Sequence, residues 1–192
     1  MTAWTLHAAL IMAMTAHAAQ AQPFGAAEAG PMIYPADRVE VVRHGLTDLP
    51  DEQLQTLLTV ARTQRFHAAL AYAPNAGVIA EPTVMAANHH SPEAARAAAL
   101  AECDARRQGG ARCVLALEVR PAGWQAQPLS LSADASAAFA RDYRRARGAR
   151  AMAISAASGS WVVARGEAAE AEALAACEAE SGAGDCRIVL RD

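Results

Sequence analysis

An eleven-residue phrase occurs twice in this chain, as EAARAAALAEC at residues 93–103 and EAAEAEALAAC at residues 167–177, with eight positions identical and no gap. Each copy is followed by a second cysteine that opens an apolar run, CVLALEV at 113–119 and CRIVLRD at 186–192. A fold built on this chain must therefore accommodate one helix-to-strand element in two places. The repetition extends upstream. Leu46-Thr47 recurs as Leu131-Ser132, and both hydroxyls suit a helix N-cap. At the same offset Leu54, Leu58 and Ala61 answer Phe139, Tyr143 and Ala146, on helical spacing. ALAYAPNAG (69–77) then aligns with AMAISAASG (151–159), a strand and a turn whose glycine can take positive φ.

The order helix, strand, strand, helix, strand follows in both units. A short hairpin makes the first two strands antiparallel, and a right-handed crossover through the helix lays the third beside the first, with the alanine-rich strand central. The expected fold is α+β: two αββαβ repeats forming antiparallel sheet covered by helices, with one disulfide per repeat. In the repeated helices Ala94, Ala97, Leu100 and Ala101, and Ala168, Ala171, Leu174 and Ala175, lie along one side, an alanine face expected to sit close to a sheet.

Residues 1–21 read as a signal peptide: they carry no Asp, Glu, Lys or Arg, hold the apolar run Leu6 to Ala16, and end in Ala19-Gln20-Ala21, a small-x-small cleavage pattern. Residues 22–45 read as an N-terminal arm, aperiodic and Gly/Pro-rich to residue 37, with one short strand over 38–43. The repeats are placed at 46–120 and 131–192, with 121–130 as the linker. No later segment supplies the ~20 apolar residues of a membrane span. An exported chain meets an oxidising compartment, where pairs closing loops of ten and nine residues read as the disulfides Cys103–Cys113 and Cys177–Cys186. Structural zinc is the rival reading, although its cysteines usually stand two to four residues apart.

All 17 basic residues are arginine, so Schiff-base, phosphate-loop and Ser-Lys chemistry are excluded. The formal charge of −3 argues against a general nucleic-acid binder. No cofactor motif is present. Fifteen residues separate Gly77 from Glu93, against seven between Gly159 and Glu167, so the first unit carries eight extra residues within EPTVMAANHH (81–90). Adjacent His89 and His90 in that insertion are the candidates for acid/base or metal chemistry, with Glu81 or Glu93 as the carboxylate. The competing expectation places both at a solvent-facing strand end capped by Ser91, where replacing them changes stability by no more than ~0.5 kcal/mol. Arg141, Arg144, Arg145, Arg147 and Arg150 form a cluster suited to an anionic ligand or an envelope partner. Trp161 reads as a core or sheet-face anchor.

The units resemble those of small exported bacterial proteins of uncharacterised function, which run A-x-A-x-S, a Gly turn, E-A-A-x-A-x-A-L-x-x-C and a Cys-led strand. Here these are A151MAIS, Gly159, E167AAEAEALAAC and D185CRIVL, echoed in the first unit. Similar short proteins are sometimes called 5-aminolevulinate synthase, which implies a pyridoxal-phosphate enzyme. A chain without lysine cannot form the internal aldimine of such an enzyme. The combined expectation is an exported, disulfide-stabilised, non-catalytic binding or envelope-associated module. The alternative is a small hydrolase or metal-dependent enzyme using His89 and His90.

Overall fold

The computed structural model describes residues 22–45 and 49–192. The signal-peptide reading of 1–21 and the cap assigned to Thr47 fall outside these residues. After a helical turn α1 (Ala26–Ala29), a 3-10 turn (Gly30–Met32) and β1 (Val39–Arg43), the order is α2 (Asp51–Arg62), β2 (Ala68–Tyr72), β3 (Val84–Ala86), α3 (Pro92–Arg106) and β4 (Val114–Pro121). The same order then recurs: α4 (Ala133–Ala138), continued by a π-helical turn (Phe139–Tyr143), β5 (Arg150–Ser155), β6 (Trp161–Arg165), α5 (Ala169–Ser181) and β7 (Cys186–Arg191).

Two sheets result, β1-β4-β2-β3 and β6-β5-β7, with every neighbouring pair of strands antiparallel. The alanine-rich strands β2 and β5 lie between the hairpin partner and the strand that returns through the helix. Pairing shifts register at Leu70/Ala71 in one sheet and at Met152/Ala153 in the other, leaving Ala116 and Val189 as the extra residues of two bulges. Aligning the two strand-and-turn segments places these shifts at the same point.

Strand periodicity sends alternate side chains to opposite faces, and the sequence gives the two faces different sizes. Under α3 and α5 lie small residues: Ala69 and Ala71 meet Ala95 and Ala99, and Ala151 and Ala153 meet Ala169 and Ala173. The other faces carry the larger groups, with Leu70, Leu117 and Val119 against Leu58, and Met152, Ile154 and Leu190 against Phe139 and Tyr143. The helix faces differ from expectation. Ala95, Ala99 and Cys103 are buried, as are Ala169, Ala173 and Cys177, whereas Ala97, Ala101, Ala171 and Ala175 are exposed. The cysteine explains this: its sulfur must reach the next strand, so residues four and eight positions earlier share the buried side.

The disulfides join Cys103 to Cys113 and Cys177 to Cys186, each across a Cα separation of 6.1 Å. Peptide mapping without reduction is expected to recover these two links; a cross-unit link would contradict the fold. No described helix is long and apolar enough to cross a membrane.

The arm is less extended than its composition suggests. Ala29 is fully buried in the second unit's core, with Met32 and Ile33 packed beside it. Asp192 accepts from the Ala26 amide at the start of α1. β1 pairs along the outer edge of β4, while Phe24 bonds the outer edge of β7 through the Val189 carbonyl and Arg191 amide. One segment thus adds an outer strand to the first sheet and bridges the edge of the second. Leu129, in the stretch read as a linker, is also buried in the second unit's core.

Candidate functional site at the junction of the units

A helix start leaves its first amides without intrahelical partners. At α4 these amides are satisfied mainly by the first unit. The Ser132 amide donates to His90 Nδ1 at 3.0 Å, the Ala133 amide to the Phe66 carbonyl at 2.9 Å, and the Asp134 amide to Asn88 Oδ1 at 3.1 Å. Only the Ala135 amide uses the local cap, Ser132 Oγ, at 3.3 Å. Asn88 holds a left-handed backbone at φ 64°, and its Nδ2 donates to Asp134, which also pairs with Arg65. The insertion that distinguishes the first unit therefore supplies the joint to the second.

His90 is the central pin. Its Nε2 lies 3.0 Å from the Ser160 carbonyl, an acceptor only, so the proton resides on Nε2 and Nδ1 is free to accept from Ser132. Burial pushes its pKa down to about 4, although the Ser160 bond works in the opposite direction. His89 exchanges backbone bonds with His67, while His67 Nε2 meets Ser130 Oγ at 3.1 Å. Burial and the nearby Arg120 cation push His67 down to about 3, and burial lowers His89. The solvent-facing expectation for His89 and His90 is overturned, because they are 8% and 3% exposed. Their docking partners come from the other unit, beyond the reach of strand-end reasoning.

Neither expected carboxylate joins these histidines. Glu93 pairs with Arg96 at 2.8 Å, and Glu81 lines a separate cleft beside Pro82 and Arg106. Asp185 binds Ser155 Oγ at 2.5 Å, and hydroxyl contacts continue through Ser158 to Ser160. His90 contacts the Ser160 carbonyl, so this chain ties down the turn before β6. Among the described residues, no group of three or more His, Cys, Asp or Glu is gathered to hold a metal. The Nδ1 atoms of His67 and His89 are buried without a hydrogen-bond partner.

Gly159 marks how closely the units approach. With φ at +78°, a Cβ there would lie 2.7 Å from the Asn88 carbonyl oxygen. Gly159→Ala is expected to destabilise the fold by about 1–3 kcal/mol, from backbone strain plus contact with main chain that cannot swing away. Urea denaturation would measure it, and a loss below ~0.5 kcal/mol would show a looser junction.

A second polar cluster escaped the sequence reading. Glu118, 1% exposed, accepts from Arg96 at 3.0 Å and Arg120 at 2.8 Å, with His44 Nε2 at 3.1 Å from Oε1. Burial pushes its carboxyl up, but the two guanidiniums outweigh that and hold it below the usual range. Arg120 also lies over the Trp124 ring, whose edge meets His67. The corresponding helix and strand positions of the second unit hold Glu170 and Arg191, 3.4 Å apart with the charges exchanged. A lone Glu inside VLALEV was the available signal.

No protein-family model, curated protein or solved structure matches the chain.

The arginine cluster divides. Arg141 pairs with Asp142, and Arg150 pairs with Asp192 while covering the Tyr143 ring. Arg144, Arg145 and Arg147 are exposed and make no salt bridge among the described residues. Arg144 borders a cleft of about 270 Å³ with Tyr34 and Phe139. Trp161 is partly buried against the second unit's large-residue core.

Proposed function

We propose that this protein is an exported, non-catalytic binding module, held together by its disulfides in an oxidising envelope compartment, with an anionic partner met at Arg144, Arg145 and Arg147. The observation that carries the non-catalytic part is the engagement of both His90 nitrogens in joining the units. A general base needs a nitrogen within reach of substrate, and this imidazole already serves a helix amide and a turn carbonyl. The disulfides fit an extracytoplasmic setting. Arg144, Arg145 and Arg147, which make no salt bridge among the described residues, present forked donors suited to carboxylate or phosphate.

The test is capture from the protein's own envelope fraction, using the wild-type chain beside a variant carrying Arg144→Ala, Arg145→Ala and Arg147→Ala. A partner retained by the wild type, eluted by salt and lost by the variant is the expected result. The enzyme reading draws on the unpartnered Nδ1 atoms of His67 and His89. Stoichiometric metal in the native protein, released by His89→Ala, would establish that reading instead.

A further inference from the structure

We infer that β6 is a self-association edge, pairing with β6 of a second copy in an antiparallel arrangement centred on Val163. This concerns the open edge of β6, which meets the arginine cluster where Arg165 Nη2 donates to the Asp142 carbonyl, and it holds whatever that cluster binds.

Hydrogen-bond parity comes first. The Ser155 amide donates to the Ser160 carbonyl, and the Gly166 amide to the Ala149 carbonyl, so even-numbered residues from 160 to 166 turn their main-chain groups toward β5. In an antiparallel ladder the alternate residues face the other way. Trp161, Val163 and Arg165 therefore direct amides and carbonyls away from the sheet, where β6 is the outermost strand. These groups have no protein partner among the described residues.

The other edges are managed differently. Phe24 bridges the edge of β7, β3 is only three residues long, and β1, itself an outer strand of five residues with the main-chain groups of Val39, Val41 and Arg43 pointing outward, has no aromatic to set across from its arginine. β6 runs for five residues, WVVAR, without proline, glycine or a bulge. An uncovered edge of this kind is a template for strand addition. A cleft of about 550 Å³ runs beside Ser158 to Val163, with Ala87, Asn88 and Glu180 in its walls.

The strand is complementary to itself in one register. Opposing Val163 to Val163 of the second copy also opposes Trp161 to Arg165 and Arg165 to Trp161, so every outward residue enters a hydrogen-bonded pair. The guanidinium then stands across from an indole, a favourable cation–π pairing, and no like charges face each other. The register slipped so that Trp161 opposes Val163 sends Arg165 to Gly159, where Asn88 already occupies the approach.

Sedimentation equilibrium of the oxidised, exported chain, from micromolar to near-millimolar concentration, should show a rise from one chain mass to two. Val163→Pro removes an outward amide that β5 does not use, and should leave a monomer with both disulfides and native circular dichroism. Val163→Cys should form a covalent dimer on mild oxidation, a readout that survives if the proline variant fails to fold. A wild-type monomer at every concentration would overturn the inference, including the case in which a different protein adds the strand. A dimer that the folded proline variant retains, or that the cysteine variant cannot cross-link, would overturn it equally.

Discussion

A variant with all four cysteines replaced by alanine is expected to lose its cooperative fold at 37 °C, while each single-pair variant folds with a lowered melting temperature. The two bonds close sequence separations of ten and nine residues. In the chain-entropy picture each contributes roughly 2.5–3 kcal/mol by restricting the unfolded chain. Their joint loss is comparable with the ~5–15 kcal/mol that stabilises a whole domain. The layers beneath α3 and α5 offer little compensation, because Ala95, Ala99, Ala169 and Ala173 each bury only a methyl group. At about 2–4 °C per kcal/mol for a chain of this size, removing one pair lowers the melting temperature by roughly 5–12 °C. Calorimetry would measure the difference, and a single-pair shift below ~2 °C would mean that packing alone holds the helix to its sheet.

Acid is expected to open the junction before it disturbs the carboxylate pairs. His90 has a pKa near 4 and His67 near 3 in the folded chain, against 6.5 as the ordinary value. Their neutral forms are the ones the fold accommodates. Stability is therefore fully present above pH 6.5 and declines as pH falls, because the unfolded chain takes up protons that the folded chain resists. Between pH 7 and 5 the loss is roughly 2 kcal/mol for each of these histidines. The charges around them are mixed, with Arg187, Asp185 and His89 acting on His90, and Arg120, Glu118, His90 and His89 on His67. Denaturant titrations at pH 7 and pH 5 measure the loss. His90→Gln, which keeps a donor and an acceptor without a titrating ring, should flatten its share of the slope. Equal stability at both pH values would show that these rings protonate normally in the fold.

The cysteine spacing was legible because it is local: the helix, a short turn and the next strand bring the sulfurs together within about ten residues. The central position of β2 and β5 followed from hairpin and crossover rules that need only the order of elements. The buried helix face could also have been read, since Cys103 and Cys177 mark it at once. Alanine content did not mark it, because alanine occupies both exposed and buried sides of these helices.

His90 lay beyond that kind of reading. Its partners are 42 and 70 residues away, Ser132 at the start of α4 and Ser160 in the turn before β6. A pair of histidines before a capped helix carries the same local signature whether it faces solvent, a metal or another unit. Glu118 is similar, since its burial depends on Arg96 from the helix above it and Arg120 further along its own strand. Short-range chemistry of the sequence determined the elements, their order and the disulfides. Tertiary structure decided what the insertion does, because a hydrogen bond across the junction depends on how two already folded surfaces meet.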